Sequence, residues 1–436
     1  MRKQKKWGLH LVFWLGVLSI FIAKILWGNV QPQNVEQRRE SDLPTRNDNE
    51  KSTENTERIR VLIKTNGFSH IAHNKVEFQA KNGLHITVGK ETFQVDPGKT
   101  ITLKPDDEIF QKGEVTIQAT KEGEKIKIKS LQRGYGTPVY RGKFQLYSTA
   151  EGIIIINELL LEEYLYGVVP SEMPASYHTE ALKCQAVCAR SYACCQMRKL
   201  AYPEYNAHVD DSTSYQVYGN SKEQNTTTKA VKETEGLTVQ YKGETVITYY
   251  FSTSAGKTTD IKAWGTKQSK KNRYLQGASV CDESGSDYEK DYPWYRWRVC
   301  ISKEHMRDLL ELNTKVELGE LEELAITKRG AGDVALQLKA IGSKGNAVIE
   351  TENKIRRVLG NGNYVIEKQD GSTCNATELL PSAFINISLE NDVYYIDGGG
   401  FGHGIGMSQN GANEMAKSGK NYIEILSFFY TGCNVE

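Results

Sequence analysis

The chain has 436 residues, with 55 Lys and Arg against 54 Asp and Glu, for a net charge of +1. That balance gives no electrostatic case for nucleic acid or a general polyanion as partner. The length suits one large domain or two smaller ones.

The first element is a basic stub, Met1-Arg2-Lys3-Gln4-Lys5-Lys6, before a mostly apolar run over 7–27. About 20 apolar residues are enough to cross a bilayer. No small-residue cleavage site follows in Lys24-Ile25-Leu26-Trp27-Gly28, and near-side cations keep that end in the cytoplasm. The expectation is an uncleaved single-pass anchor over 1–28, with the rest on the outer side of the cell membrane. A cleaved secretory signal is the competing reading. Residues 29–58 have almost no apolar side chains and read as a polar linker.

From Ile59 onward, short alternating runs (59–63, 93–95, 100–103, 115–117, 126–128) are separated by Gly, Asp and Pro clusters. They predict a β-rich part over 59–150. The remainder, 151–436, mixes helical and strand patterns without regular βαβ alternation, so the fold class is α+β with a mixed α/β core. The best helix covers 177–198, with Ser176 as N-cap and Glu180 in its first turn. A shorter helix covers 226–235. Runs at 237–241 and 246–251, joined by Lys242-Gly243-Glu244, predict a hairpin. Helix at 302–310 and strands near 324–328 and 334–340 follow.

Chemistry concentrates in two segments. In Gly167-Val168-Val169-Pro170-Ser171-Glu172-Met173-Pro174, two prolines frame one acid. They predict a stiff, non-helical segment ahead of a helix. Apolar neighbours would raise the Glu172 pKa toward that of a general acid. The plain alternative is a surface Glu favoured by a helix N-terminus. The second segment is Gly398-Gly399-Gly400-Phe401-Gly402-His403-Gly404-Ile405-Gly406-Met407-Ser408-Gln409-Asn410-Gly411-Ala412. Its glycines recur every second residue and do not match a nucleotide-binding fingerprint. They suit tight packing behind a site wall, with Ser408 capping a helix from Gln409.

Together these two segments resemble the SpoIID/LytB family of cell-wall proteins, from about Ile59 to the C-terminus. The resemblance implies a lytic transglycosylase with Glu172 catalytic. It would cut MurNAc-GlcNAc strands of peptidoglycan, preferably stripped of stem peptides, leaving 1,6-anhydroMurNAc during sporulation engulfment. The non-catalytic branch of the family implies the alternative, an activator of a cell-wall amidase. The partners implied are glycan strands, an amidase and membrane engulfment proteins. Lys183, Gln185, Arg190 and Tyr192 match the family's helix pattern, and Gln216 and Tyr218 fall in the matching Tyr215-Gln216-Val217-Tyr218. With Ser252, His403, Ser408 and Gln409 they make up the expected substrate-binding set. Arg190 is the strongest of these, because a guanidinium can hold a carboxylate, a sugar oxygen or Glu172 itself.

Some relatives bind zinc near 208–215. Here His208 stands alone among Val209, Asp210, Asp211, Ser212, Thr213, Ser214 and Tyr215. A structural zinc needs four good ligands, so the expectation is no metal and no cofactor. Of eight cysteines, Cys184 and Cys188 share a helix face and read as small buried side chains. Cys281 and Cys300 could pair.

Overall fold

Four consecutive isoleucines, Ile153 to Ile156, lie in the central strand of the first sheet, Gly152–Leu160. All four are buried because both faces of that strand are covered. Ile153 and Ile155 enter one apolar cluster, while Ile154 and Ile156 join another with Leu62 and Ala207. A continuous apolar run is what such a two-sided strand requires. Arg58–Ile63 pairs antiparallel along one edge, with Ile59 opposite Leu159, and Lys143–Thr149 along the other. The strands on either side of residues 150/151 therefore form a hairpin with each other. Val115–Ala119, Leu84–Val88 and Glu91–Val95 extend this sheet. A four-stranded sheet is built from Thr100–Leu103, Val76–Gln79, Ile126–Ile128 and Val139–Tyr140.

The computed structural model describes residues 57–436. The expected anchor and all but the last two residues of the expected linker lie outside the described residues. Among the described residues no helix is long and apolar enough to cross a membrane.

Seven helices accompany the sheets among the described residues, giving a mixed α+β fold. They are α1 (Leu161–Glu172), α2 (Thr179–Met197), α3 (Asn225–Glu233), α4 (Lys303–Thr314), α5 (Glu352–Val358), α6 (Gln409–Lys417) and α7 (Tyr422–Phe429). The second half carries a five-stranded antiparallel sheet ordered Thr373–Asn375, Val365–Lys368, Trp297–Ser302, Val393–Gly398, Ile385–Glu390. A three-stranded meander spans Leu321–Arg329, Ala335–Gly342 and Asn346–Glu350.

Helix α2 lies between two cores. Leu182, Cys184, Val187 and Cys188 pack into the larger cluster, while Ala186, Ala189 and Ala193 face the cluster under the first sheet. Small side chains on both faces let the helix fit between two apolar layers, which accounts for the two buried cysteines.

Several local expectations are corrected. The proline-framed segment is helical: α1 runs through Pro170, and Met173, extended ahead of Pro174, ends it. Pro170 cannot donate to the Tyr166 carbonyl, a defect costing about 3 kcal/mol in a helix interior. Other bonds hold the last turn. The Ser171 hydroxyl donates to Gly167 O at 2.7 Å, and Met173 N donates to Val169 O at 3.0 Å. Helix α2 starts at Thr179, with His178 as its cap instead of Ser176: the His178 ring accepts from Glu180 N at 3.3 Å. The hairpin after α3 is short, Val239–Tyr241 with Glu244–Thr245. The expected return strand instead crosses over, and Tyr250–Phe251 pairs in parallel with Met407–Ser408. Cys281 and Cys300 do not pair, and all eight cysteines are free.

Candidate functional site

Glu172 is the last residue of α1. There the negative end of the helix macrodipole disfavours a carboxylate, the reverse of what a helix N-terminus would do. Its carboxylate is enclosed by protein, although the residue keeps a partial opening to solvent. Burial pushes its pKa up to about 7, opposed only by the Val217 N–H, which donates to Oε1 at 2.6 Å. No charged side chain contributes to the shift. Desolvation alone thus sets an acid poised near neutral pH.

The loop carrying Val217 is tied to the same helix end. Asn220 N and Ser221 N both donate to the Ser171 hydroxyl, each at 3.1 Å, and Gly219 N donates to Gly167 O at 3.3 Å. Gly167 permits this approach, because a Cβ there would lie 2.6 Å from the Tyr218 ring.

Three phenols, Tyr164, Tyr192 and Tyr250, stand close enough to Glu172 for its charge to raise their pKa values, after burial as the main cause. Gln216 joins two of them. Its Oε1 accepts from the Tyr164 hydroxyl at 3.4 Å, and its Nε2 donates to the Tyr250 hydroxyl at 3.1 Å. On the far side, Gln409 Nε2 donates to the Glu172 carbonyl at 3.0 Å and to Gln185 Oε1 at 3.1 Å. Gln185 is fully buried, and its own amide nitrogen has no protein partner. That unused donor costs about 1–3 kcal/mol.

Of the expected site residues, Gln185, Tyr192, Gln216 and Gln409 gather around Glu172. The others have different roles. Arg190 is 1 % exposed and forms a two-pronged ion pair with Glu162, at 2.7 and 2.8 Å. It also donates to Leu237 O and Val231 O. Its guanidinium is spent joining α1, α2 and α3, because a buried cation needs its charge and donors satisfied. Lys183 bridges Glu180 and Glu233 at 2.9 and 3.0 Å. Tyr218 is buried against Tyr140 and Tyr164 and donates to Asn157 at 2.9 Å. Ser252 accepts at its carbonyl from Asn410 N. His208 accepts at Nδ1 from Arg60 N, at 3.1 Å. Among the described residues no three His, Cys, Asp or Glu side chains are grouped to hold a metal.

His403 is a brace. Its Nε2–H donates to Tyr250 O at 3.0 Å, and its Nδ1 accepts from Ile405 N at 3.1 Å. Burial takes its pKa down to about 3, so the ring is neutral and both nitrogens are occupied. Gly400, Gly402, Gly404 and Gly406 all have left-handed φ values, between 77° and 122°. At Gly406 a Cβ would sit 2.1 Å from Tyr249 O, the acceptor of Met407 N. Gly406→Ala should therefore cost about 2 kcal/mol or more from strain plus displacement. A lower midpoint in urea with an unchanged slope would show it; an unchanged midpoint would refute the close approach.

Glu289 gave no signal in the sequence. It is fully buried, and its carboxylate accepts from Ser254 N at 2.9 Å, from Ser408 Oγ at 2.6 Å and from the Ser254 hydroxyl. Burial raises its pKa to about 7. Ser408 in turn caps α6, accepting from Gly411 N at 3.3 Å. Glu289 thus fixes the start of α6, and with it Gln409 over Glu172. A groove of about 760 Å³ lies elsewhere, over Arg298, Cys300 and Tyr364 on the five-stranded sheet.

These features define a class: one desolvated acid at a helix end, set among buried phenols and amides, with a glycine-rich segment leading into the helix that carries Gln409. Residues 149–241 match the family model described as stage II sporulation protein (SpoIID), and residues 257–406 match a domain of unknown function (DUF8618). The chain thus carries a segment similar to the SpoIID family over residues 149–241. It is 29% identical over 298 residues to an uncharacterised protein of Brachyspira hyodysenteriae, covering 68% of this chain and 72% of that one. It is 29% identical to stage II sporulation protein D of Bacillus amyloliquefaciens, covering 79% of this chain and 89% of the relative. It is 26% identical to the amidase enhancer of Bacillus subtilis, covering 62% of this chain but only 39% of that protein. Glu172 and six of the expected residues, from Lys183 to Tyr218, fall within the first match.

Proposed function

We propose that this protein is a lytic transglycosylase acting on peptidoglycan glycan strands at the cell envelope, in sporulation. The observation that carries this reading is the single isolated acid, Glu172, with a pKa near 7 and no charged partner. Glycosidases that use water commonly need two carboxylates about 5–9.5 Å apart. Glu289 is closed off by its three hydroxyl and amide contacts, which leaves one acid to do both proton transfers.

In the mechanism, protonated Glu172 gives its proton to the glycosidic oxygen as the C1–O bond of the muramyl residue breaks. The carboxylate then takes the proton of that residue's 6-hydroxyl while O6 bonds to C1. The acid is regenerated, no water is consumed, and the product ends in 1,6-anhydroMurNAc. The Val217 N–H would hold one oxygen throughout, and Gln409 and Gln185 would fix the helix end.

The kcat/KM profile should fall above about pH 7, as the acid form of Glu172 is lost. Product analysis on peptide-free strands tests the chemistry: reducing muramic ends would indicate hydrolysis. The similarity to an amidase enhancer supports a second reading, a non-catalytic amidase activator. Under that reading purified protein releases no fragments and only accelerates an added amidase. Anchoring by residues 1–28 and partnership with an amidase complete the proposal. N-terminal sequencing of the mature protein would check the anchor.

A further inference from the structure

A cavity of about 210 Å³ lies beside α1, lined by Gly167 and by Gly219, Ser221, Lys222 and Glu223. These last four continue the loop that gives the Val217 N–H to Glu172 and two further N–H groups to Ser171. The buried rings of Tyr140 and Tyr218 form part of the wall. Gly219, at φ 69°, lies directly on Tyr140, where a Cβ would sit 2.4 Å from the ring.

Charge in the cavity does not cancel. Its carboxylates are Glu163 and Glu223, and its cations are Lys125, Arg141 and Lys222. Arg141 donates to both oxygens of Glu223, at 2.9 and 3.0 Å, and Lys125 reaches Glu223 at 2.7 Å. Glu163 stands 3.6 Å from Arg141. Two cations thus answer two carboxylates, and the third is left over. Lys222 makes no ion pair among the described residues; its ammonium lies 5.9 Å from the Tyr135 ring centre.

The unspent hydrogen-bonding groups favour the same sign of ligand. The Tyr135 hydroxyl accepts from Val139 N at 3.0 Å, which leaves its own proton free to donate. The Ser221 hydroxyl makes no hydrogen bond among the described residues, although its N–H is committed to Ser171. One ammonium and two hydroxyl groups with protons to give therefore line a single small volume, and the carboxylates there already face Arg141 and Lys125. Hydrogen bonds from such donors to an ionised oxygen are about twice as strong as neutral ones.

We propose that this cavity is a site for a small oxyanion, a carboxylate or a phosphate group, held by Lys222, Tyr135 and Ser221. The bound oxyanion ties two residues of the loop to Tyr135, and so steadies the segment whose Val217 N–H holds the Glu172 carboxylate. The volume is below the roughly 300 Å³ at which drug-sized ligands fit, so the ligand group is small.

Thermal unfolding of the full-length protein in sodium phosphate or sodium acetate, against sodium chloride at equal ionic strength, reads the binding. The midpoint should rise with phosphate, acetate or both, and the active anion identifies the ligand group. General salt stabilisation is shared by parent and variants, so the difference between them reports the site. Lys222→Gln should raise the dissociation constant about tenfold, the scale of one lost charged hydrogen bond, and Ser221→Ala should raise it less. Lys90→Gln removes the same charge at an exposed residue outside the cavity and should change nothing. Hydrogen exchange at 218–223 should slow when the anion is bound. If neither anion raises the midpoint above chloride, the site is refuted. Equal binding by the parent and Lys222→Gln, or an equal loss in Lys90→Gln, refutes it as well, since the anion then binds elsewhere or through overall charge. Unchanged exchange at 218–223 refutes the hold on the loop. None of these readings involves glycan cleavage, so the site stands or falls separately from the proposed function.

Discussion

Glu172→Gln should leave a folded protein that releases no glycan fragments, with a rate loss of at least about a hundredfold. The amide keeps the carboxylate's shape and can still accept from the Val217 N–H, but it has no proton to give and cannot take one. The same change should stabilise the protein, in a pH-dependent way. With a folded pKa of about 7 against an ordinary 4.5, the native state holds a proton that the unfolded state releases between those values. Unfolding free energy therefore falls as pH rises from about 4.5 to 7 and stays reduced above. At one pH unit per 1.36 kcal/mol the cost is on the order of 3 kcal/mol, less the relief from the partial opening to solvent. The variant should gain stability over the parent at pH 8 and match it near pH 4. Retained cleavage would remove Glu172 from the mechanism. Equal stability at both pH values would mean that the carboxylate is not desolvated.

Arg190→Ala should destabilise the protein severely. Removing one partner of a buried ion pair costs about 3–5 kcal/mol, a large share of the roughly 5–15 kcal/mol that holds a domain together. Glu162 would lose the guanidinium that holds both its oxygens, and the carbonyls of Leu237 and Val231 would lose their donor. Thermal unfolding followed by circular dichroism should show a large fall in midpoint, with activity lost in proportion to folded protein. The double variant Arg190→Met with Glu162→Leu should recover part of the stability, since replacing both members of a buried ion pair by apolar side chains costs less than removing one. If Arg190→Ala instead folds normally and shows only a raised KM, the guanidinium binds substrate and its structural role here is wrong.

Arg190 also shows where reading from sequence stops. Its type and place on a helix are legible, but nothing local distinguishes an arginine facing substrate from one facing Glu162, 28 positions away. Glu289 is the stronger example. It sits in the polar run Asp287-Tyr288-Glu289-Lys290-Asp291 and has no hydrophobic frame. Its burial depends on Ser254 and Ser408, which are 35 and 119 positions away. The proline frame of Glu172 misled for the opposite reason. Pro170 is a local signal against helix, yet the helix runs on to Glu172, its last turn tied down by the Ser171 hydroxyl and the loop at 217–221. Strand Tyr250–Phe251 was sensed as β, but its partner was unreadable, since parallel pairing to Met407–Ser408 is a purely long-range event.

What the sequence determined by itself was whatever depends on neighbours in the chain. The isoleucine run, the α2 pattern with its small buried cysteines, the Ser408 cap and the glycine spacing that only left-handed backbone can use are all of this kind. The single acid set among apolar residues belongs with them. The tertiary structure alone decided which polar groups meet. It placed Glu172 at a helix C-terminus with the Val217 N–H on its carboxylate, consigned Arg190 to an ion pair, and set Gln409 over the acid by anchoring α6 on Glu289. The physical reason is that hydrogen bonds and desolvation depend on distances of about 3 Å between groups far apart in sequence, and residue pattern carries no measure of those distances.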